Sequence, residues 1–224
     1  PFTKNYLYFG EKMIHRRGEF DNFFPTADIE NVVICTSGIG ASKDFSLHIT
    51  NTLTDVQFLS NGKCFPLYYY EFNPDKEQLT MFDSLDSNKG YVRKDAISDW
   101  IAKRAREQYG AAVRKEDIFY YVYGYLHSPS YREKFASDLK KSLPRIPLVE
   151  KADVFWKFSK AGRELASLHL RYEEVEPLDS VEVKGNRKNC RVTKMRFLDN
   201  DRKDTIIFNE HIRIENIPTI AYEY

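Results

Sequence analysis

The stretch "DIFYYVYGYLHSPSYREKFASDLKKSLPRIPLV", residues 117–149, decides how the rest of the chain is read. It crowds tyrosines and phenylalanines around a His127-Ser128-Pro129 break and then turns basic. Either these rings are core, or they face outward and hold nucleic acid. Ile118, Tyr121, Val122 and Tyr125 form one helical stripe, while Phe119, Tyr123 and Leu126 cover much of the remaining circumference. A helix that is apolar nearly all round is a buried helix. Ser128 followed by Pro129 reads as an N-cap with proline at the first helical position. Tyr131, Phe135 and Leu139 then share one face of a third helix, which Pro144 and Pro147 stop.

Outward from this stretch the periodicity continues. Ser98 can cap an earlier helix in which Ile97, Ile101, Ala105 and Tyr109 recur every four residues, ending at Gly110. A fourth helix is predicted from about Asp153 to Glu173, burying Phe155, Phe158, Leu165, Leu168 and Tyr172. Before the helices lie β-branched or aromatic runs bounded by turn residues: "YLYF" (6–9), "NVVICTS" (31–37), "FSLHIT" (45–50), "VQFLS" (56–60) and "CFPLYYYEF" (64–72). The polar "FNPDKEQLTMFDSLDSNKG" (72–90) has no sustained period and reads as a long connection. After the helices come "SVEVKG" (180–185), "CRVTKMRFL" (190–198), "DTIIFN" (204–209) and "HIRIENIP" (211–218), with Gly185-Asn186 and "LDNDRKD" (198–204) as turns. The fold class is α+β: a β-rich part over 1–90, a central insertion of about four helices over 91–175, and a C-terminal β-hairpin or meander over 176–224. Pro1 stands where an initiator Met would, and Pro218 reads as the first turn of a helix. The chain is therefore expected to be a piece of a longer polypeptide.

Composition bounds the function. With 42% hydrophobic and 15% aromatic residues, 224 residues can bury a real core. Lys plus Arg number 34 against 33 Asp plus Glu, so a surface for a polyanion has to be made by segregating charge. Cys35, Cys64 and Cys190 are far apart and odd in number, which argues against a disulfide framework or a zinc site and for a reducing cytoplasm. No apolar run approaches the ~20 residues that span a bilayer, so no membrane partner is expected. The five histidines are scattered without metal spacing, and His127 is best explained as a helix-end residue. Glu173-Glu174 and Asp199/Asp201 fall in a helix end and a turn, where solvated carboxylates are ordinary. Nothing assembles a nucleophile, an acid and a base, so no catalytic residue, metal or cofactor is assigned.

Three basic or turn segments carry the remaining interest. "KGNRKNCRVTKMR" (184–196) holds Lys184, Arg187, Lys188, Arg191, Lys194 and Arg196 with no acid among them. Read as a projecting hairpin, it could enter a major groove; read as an edge strand, its charges protect against edge-to-edge pairing. "IHRRGEF" puts Arg16 and Arg17 in a loop with the same two readings. "SGIGASK" (37–43) matches neither phosphate-loop pattern and reads as a tight turn. Its backbone N–H groups, with Ser37, Ser42 and Lys43, could still hold a backbone phosphate.

The opening stretch also resembles the helical signature that follows the methyltransferase domain in large bacterial adenine-N6 DNA methyltransferases. The likeness is greatest to the single-polypeptide, Type I-like (Type ISP) restriction-modification enzymes. "PFTKNYLYF" is similar to their "RPFDxRxxYY" opening motif, with Thr3 where Asp is usual and Asn5 where Arg is frequent. "VVICTSGIGASKDFSLHIT", "CFPLYYY", "FWKFSKAGRELASLHLRYE", "VTKMRF" and "IPTIAYEY" follow in the expected order, so the resemblance covers essentially the whole chain. It implies a DNA target recognition domain over residues 1–224, without chemistry of its own, that positions double-stranded DNA for an adjacent methyltransferase domain. S-adenosylmethionine, ATP and Mg²⁺ would belong to the parent polypeptide. The implied DNA-contacting residues are Arg16, Arg17, Ser37, Ser42, Lys43, Arg132, Arg187, Lys188, Arg191 and Lys194, with Lys134, Lys140, Lys141 and Arg145 free to track phosphates. The alternative is a coupling module of the same enzyme that contacts protein and not bases. The tyrosines of residues 120–125 are then scaffold, their hydroxyls satisfied within the core.

Overall fold

A computed structural model describes residues 6–8, 18, 20–55, 58–74, 90–192, 194–199 and 201–222. The chain forms two compact units, residues 1–172 and 173–224. The compositional divide near residue 90 falls inside the first unit.

The first unit runs α1 (Phe20–Phe23), β1 (Val33–Thr36), β2 (Leu47–Thr50), β3 (Lys63–Pro66), β4 (Tyr68–Phe72), β5 (Tyr91–Asp95), α2 (Asp99–Tyr109), α3 (Lys115–Leu126), α4 (Pro129–Lys134), α5 (Ala136–Leu139) and α6 (Ala152–Leu170). β1 is the central strand of an antiparallel sheet between β2 and β3, and all four of its residues are buried. β4 and β5 pair separately. Asn31, buried at the start of this region, donates to the carbonyls of Phe23 and Tyr68 and so ties α1 and β4 to the approach to β1.

α3 explains its own composition. On one side Phe119, Tyr123 and Leu126 join Ile34, Leu47, Ile49 and Leu67 of the β-rich part. On the other, Ile118 and Tyr121 join Ala102, Ala105 and Tyr109 of α2 and Phe155 of α6. A helix between two apolar clusters has no face left for polar side chains. α3 and α6 touch backbone to backbone: a Cβ on Gly124 would lie 2.3 Å from the Phe158 carbonyl oxygen, and one on Gly162 would lie 2.0 Å from that of Tyr120. The buried hydroxyls find partners, as expected of scaffold. Tyr121 donates to the Pro147 carbonyl at 2.6 Å, Tyr131 donates to that of Arg145, and Tyr123 bonds the His169 ring.

The second unit holds β6 (Glu182–Gly185), β7 (Arg196–Phe197), β8 (Ile206–Ile207) and β9 (Ile212–Glu215) in one antiparallel sheet of order β6-β9-β8-β7. After Pro218, where the sequence marks a helix start, Thr219–Tyr222 form a single 3₁₀ turn.

The α+β class holds, and several local expectations change. The third helix breaks at Phe135 into α4 and α5, because that residue leaves helical ψ. Residues 6–8 of "YLYF" and 58–60 of "VQFLS" are not strands, whereas "YVRKD" is one. The largest correction concerns the hairpin expected at Gly185-Asn186. β6 pairs with β9 and β7 with β8, so the segment between them joins the two outer strands of the sheet.

Candidate nucleic-acid interface

Gly185 shows why no hairpin forms. Its φ is +110°, and a Cβ there would lie 1.8 Å from the His211 carbonyl oxygen, so the residue serves a close approach to the neighbouring chain and then ends the strand. Asn186 N–H donates to that same carbonyl, and the chain leaves the sheet. From there to Arg191 the backbone is shaped by hydrogen bonds. Asn186 Oδ1 accepts from Lys188 N–H, and Asn189 Oδ1 from Arg191 N–H. The buried Asn209 holds the loop from beneath, its Nδ2 donating to the carbonyls of Asn189 at 2.8 Å and Arg191 at 3.3 Å. Its Oδ1 accepts from the N–H groups of His211 and Ile212.

On this frame Arg187, Lys188, Arg191 and Lys194 are all exposed. Among the described residues none of the four enters a salt bridge. Lys184, at the end of β6, does: it pairs with Glu215 at 2.8 Å and Glu182 at 3.2 Å, and these contacts raise its pKa. Val192 and Met195 are exposed between the cations. Four cations and two apolar side chains on a tethered loop can meet both phosphates and base edges.

The first unit offers a second basic edge, where residues 37–44 lie against α4 and α5. Gly40 N–H donates to the Lys140 carbonyl, Lys140 Nζ reaches Asp44 at 2.8 Å, and Arg132 Nη2 donates to the Phe45 carbonyl. The Lys140 contact holds Asp44 below the usual carboxylate range. The structure thus brings the end of this segment, Asp44 and Phe45, against Arg132, nearly ninety positions away in sequence, and leaves Ser42, Lys43, Lys134, Lys141 and Arg145 exposed.

Two expectations fail here. Ser37 is buried, its hydroxyl accepting from Ser46 N–H, and the N–H groups of Ser37, Gly38, Gly40 and Ala41 are all committed to protein carbonyls, so these four amides are not open to a phosphate. Lys140 is committed to Asp44, and Arg132 is partly committed to the scaffold. Arg16 and Arg17 lie outside the described residues.

Asn209 escaped the sequence reading. Its signal was an Asn at the end of "DTIIFN", two residues before the start of "HIRIE", and such an Asn reads as a turn residue, not as a clamp on a loop twenty positions earlier. Among the described residues no group of three His, Cys, Asp or Glu could hold a metal, and no helix is long and apolar enough to cross a membrane.

A fold of this kind, with an aromatic helical scaffold and basic loops at its margins, matches known proteins closely. The chain belongs to the Type ISP C-terminal specificity domain family, whose model matches residues 1–224. Its fold is similar to that in an ATP-dependent Type ISP restriction-modification enzyme, LlaBIII, bound to DNA: TM-score 0.81, 32% identity, covering 97% of this chain and 13% of that one. It is similar too to a nuclease-deletion mutant of the Type ISP enzyme LlaGI in complex with a DNA substrate mimic, with TM-score 0.77 and 36% identity over 100% of this chain and 18% of that one. A DrdV–DNA complex gives TM-score 0.81 and 27% identity over 97% and 21%. The chain thus spans about a fifth or less of the length of each. No curated protein sequence matches it.

Proposed function

We propose that this chain is the part of a restriction-modification enzyme that recognises the DNA target, and that the loop between β6 and β7 is its base-reading element. The observation that carries this is an acid-free loop, fixed by a buried asparagine, whose cations enter no salt bridge among the described residues. Such cations are available to DNA without first breaking a salt bridge. Arg187 and Arg191 have the planar fork that suits guanine O6 and N7, and Val192 and Met195 suit a thymine methyl. Ser42, Lys43, Lys134 and Lys141 of the first unit have the chemistry for phosphate contacts, which fix register without reading sequence. Membership of the specificity-domain family, and three similar folds from DNA complexes, support the reading.

The same proposal assigns catalysis to other parts of a larger cytoplasmic polypeptide. An adjacent adenine-N6 methyltransferase domain would flip the target base and use S-adenosylmethionine, while ATP and Mg²⁺ would serve the remaining activities. The test is to replace Arg187, Lys188 and Arg191 singly by Ala in the protein that carries this chain. Binding is then measured across salt on a duplex selected from a random library and on a scrambled duplex. A base contact costs about 1–3 kcal/mol on the selected duplex only, and a phosphate contact weakens both and lowers the salt slope by about one. Unchanged affinity and slope in all three would overturn the assignment of this loop and favour a coupling role.

A further inference from the structure

Cys35 in β1 and Cys64 in β3 are directly opposite in the antiparallel register, with their sulfurs 3.4 Å apart. The ladder position is the one that suits a covalent link. Leu67 N–H donates to the Val32 carbonyl, so steps of two along the pair make Ile34↔Phe65 and Thr36↔Lys63 the hydrogen-bonded positions. Val33↔Pro66 and Cys35↔Cys64 lie between them. Pro66, which has no N–H to give, sits at such a position for the same reason. Non-hydrogen-bonded partners have Cα atoms about 4.5 Å apart, inside the range of roughly 4.4–6.8 Å that a disulfide spans.

The two thiols are not equivalent. Cys35 is buried, while Cys64 is partly exposed and also has the Thr54 hydroxyl 3.8 Å from its sulfur. The Cys35 thiol beside it draws Cys64 down to about 7, and the same hydrogen bond, together with burial, pushes Cys35 up. Cys64 is thus the nucleophile and Cys35 the buried partner.

We propose that Cys35 and Cys64 are a reversible oxidation site, a dithiol that hydrogen peroxide closes into an intramolecular disulfide. Cys64 thiolate attacks a peroxide oxygen; the O–O bond breaks, and Cys64 becomes a sulfenic acid with release of hydroxide, which is protonated to water. Cys35 sulfur then attacks Cys64 sulfur, the S–O bond breaks, and the hydroxyl leaves as water with the Cys35 proton. Two electrons pass from the sulfurs to the peroxide. A dithiol reductant reopens the bond, so in a reducing cytoplasm the reduced form is the resting one. The link would staple β1 to β3 just before the loop of residues 37–44, whose Gly38 N–H already bonds the Ser60 carbonyl ahead of β3.

The experiment treats the 224-residue chain, carrying Cys190→Ser, with excess hydrogen peroxide under native conditions. It is then denatured in N-ethylmaleimide and its peptides are mapped by mass spectrometry. The expected result is a Cys35–Cys64 cross-linked peptide, absent after dithiothreitol, with a Tm that rises on oxidation and returns on reduction. Recovery of both cysteines as maleimide adducts, or of Cys64 as a sulfinic acid with Cys35 still free, overturns the proposal. In Cys35→Ser, Cys64 should accumulate a dimedone-reactive sulfenic acid, whereas in Cys64→Ser the buried Cys35 should stay unlabelled. Dimedone labelling of Cys35 would overturn the assigned order of attack. Should Cys35→Ser fail to fold, the cross-link in the parent chain decides the matter alone.

Discussion

Buried side chains in the first unit run from Ile29 to Ala166, many of them large; among the described residues of the second unit, only Thr205, Asn209 and Ile212 are buried. The first unit is held by packing. Tyr121, Tyr123 and Phe155 are almost wholly inaccessible, and Tyr109 stacks on Phe155 with ring centroids 4.3 Å apart. The second is held by a ladder of short strands and one asparagine with four hydrogen bonds. The contrast separates two demands on the sequence. Where packing decides, nearly every side chain is constrained by volume. Where backbone hydrogen bonds decide, the side chains they display are left free for a partner.

The largest effect of a single substitution is expected in the first unit. Tyr121→Ala should destabilise it by about 3–5 kcal/mol, as loss of a fully buried ring does, with a matching fall in Tm. Phe135→Ala should cost clearly less, since that ring is only half-buried at the break between α4 and α5. A Tyr121 variant that melts like the parent chain but loses DNA binding would make the aromatic cluster a recognition surface. Asn209→Ala should act in the second unit alone. It leaves the amides of His211 and Ile212 without their acceptor, at roughly 1–3 kcal/mol per buried group. Hydrogen exchange should quicken at those amides, proteolysis should begin within residues 186–195, and the first unit should be untouched.

A milder test uses pH. Burial and the neighbouring His169 lower His48 to about 4 and His127 to about 3, and burial lowers His169. The three rings lie together, with His48 4.8 Å and His127 5.8 Å from His169 between centroids, beside Tyr123. Their folded pKa values lie below the unfolded value of about 6.5, so the unfolded chain takes up protons first. Stability is therefore full above about pH 6.5 and falls as the pH drops toward 4, by at most about 1.4 kcal/mol per unit for each histidine. Between pH 6.5 and 5 most carboxylates remain ionised, so Tm in that window should fall with pH in the parent chain and fall less in His127→Gln. Equal slopes would remove the histidines from the account. The smallest effect is expected from Lys184→Ala. That cation is solvated and already paired with Glu182 and Glu215, so Tm and DNA binding should both change little, whereas Arg191→Ala should weaken DNA binding with Tm unchanged.

Helices were legible where caps and periodicity agreed. Ser98 and Gly110 bound α2, Pro129 opens α4, and α6 ends within a few residues of its expected limit. The all-round apolar pattern of 118–126 rightly meant a buried helix. What escaped were features made by distant partners. Nothing local in "SVEVKG" says that its partner is "HIRIE" and not the basic run beside it, because strand pairing is a tertiary choice. Nor could "SGIGASK" disclose that its amides would be used by Ser46, Ser60 and Lys140. The basic loop itself was visible as an acid-free run, yet its shape depends on Asn209 and on the backbone contact at Gly185, which composition does not encode.

The order β6-β9-β8-β7 gives the connecting loop an unusual freedom. It starts on one margin of the sheet and ends on the other, so it belongs to no hairpin, and its length sets no strand's alignment. Residues can be inserted, lost or exchanged between Asn186 and Met195 while every inner pairing stays in step. On the proposed reading of this loop, a lineage under pressure to change its target has a replaceable cartridge: new specificities can be tried there without re-solving the fold each time.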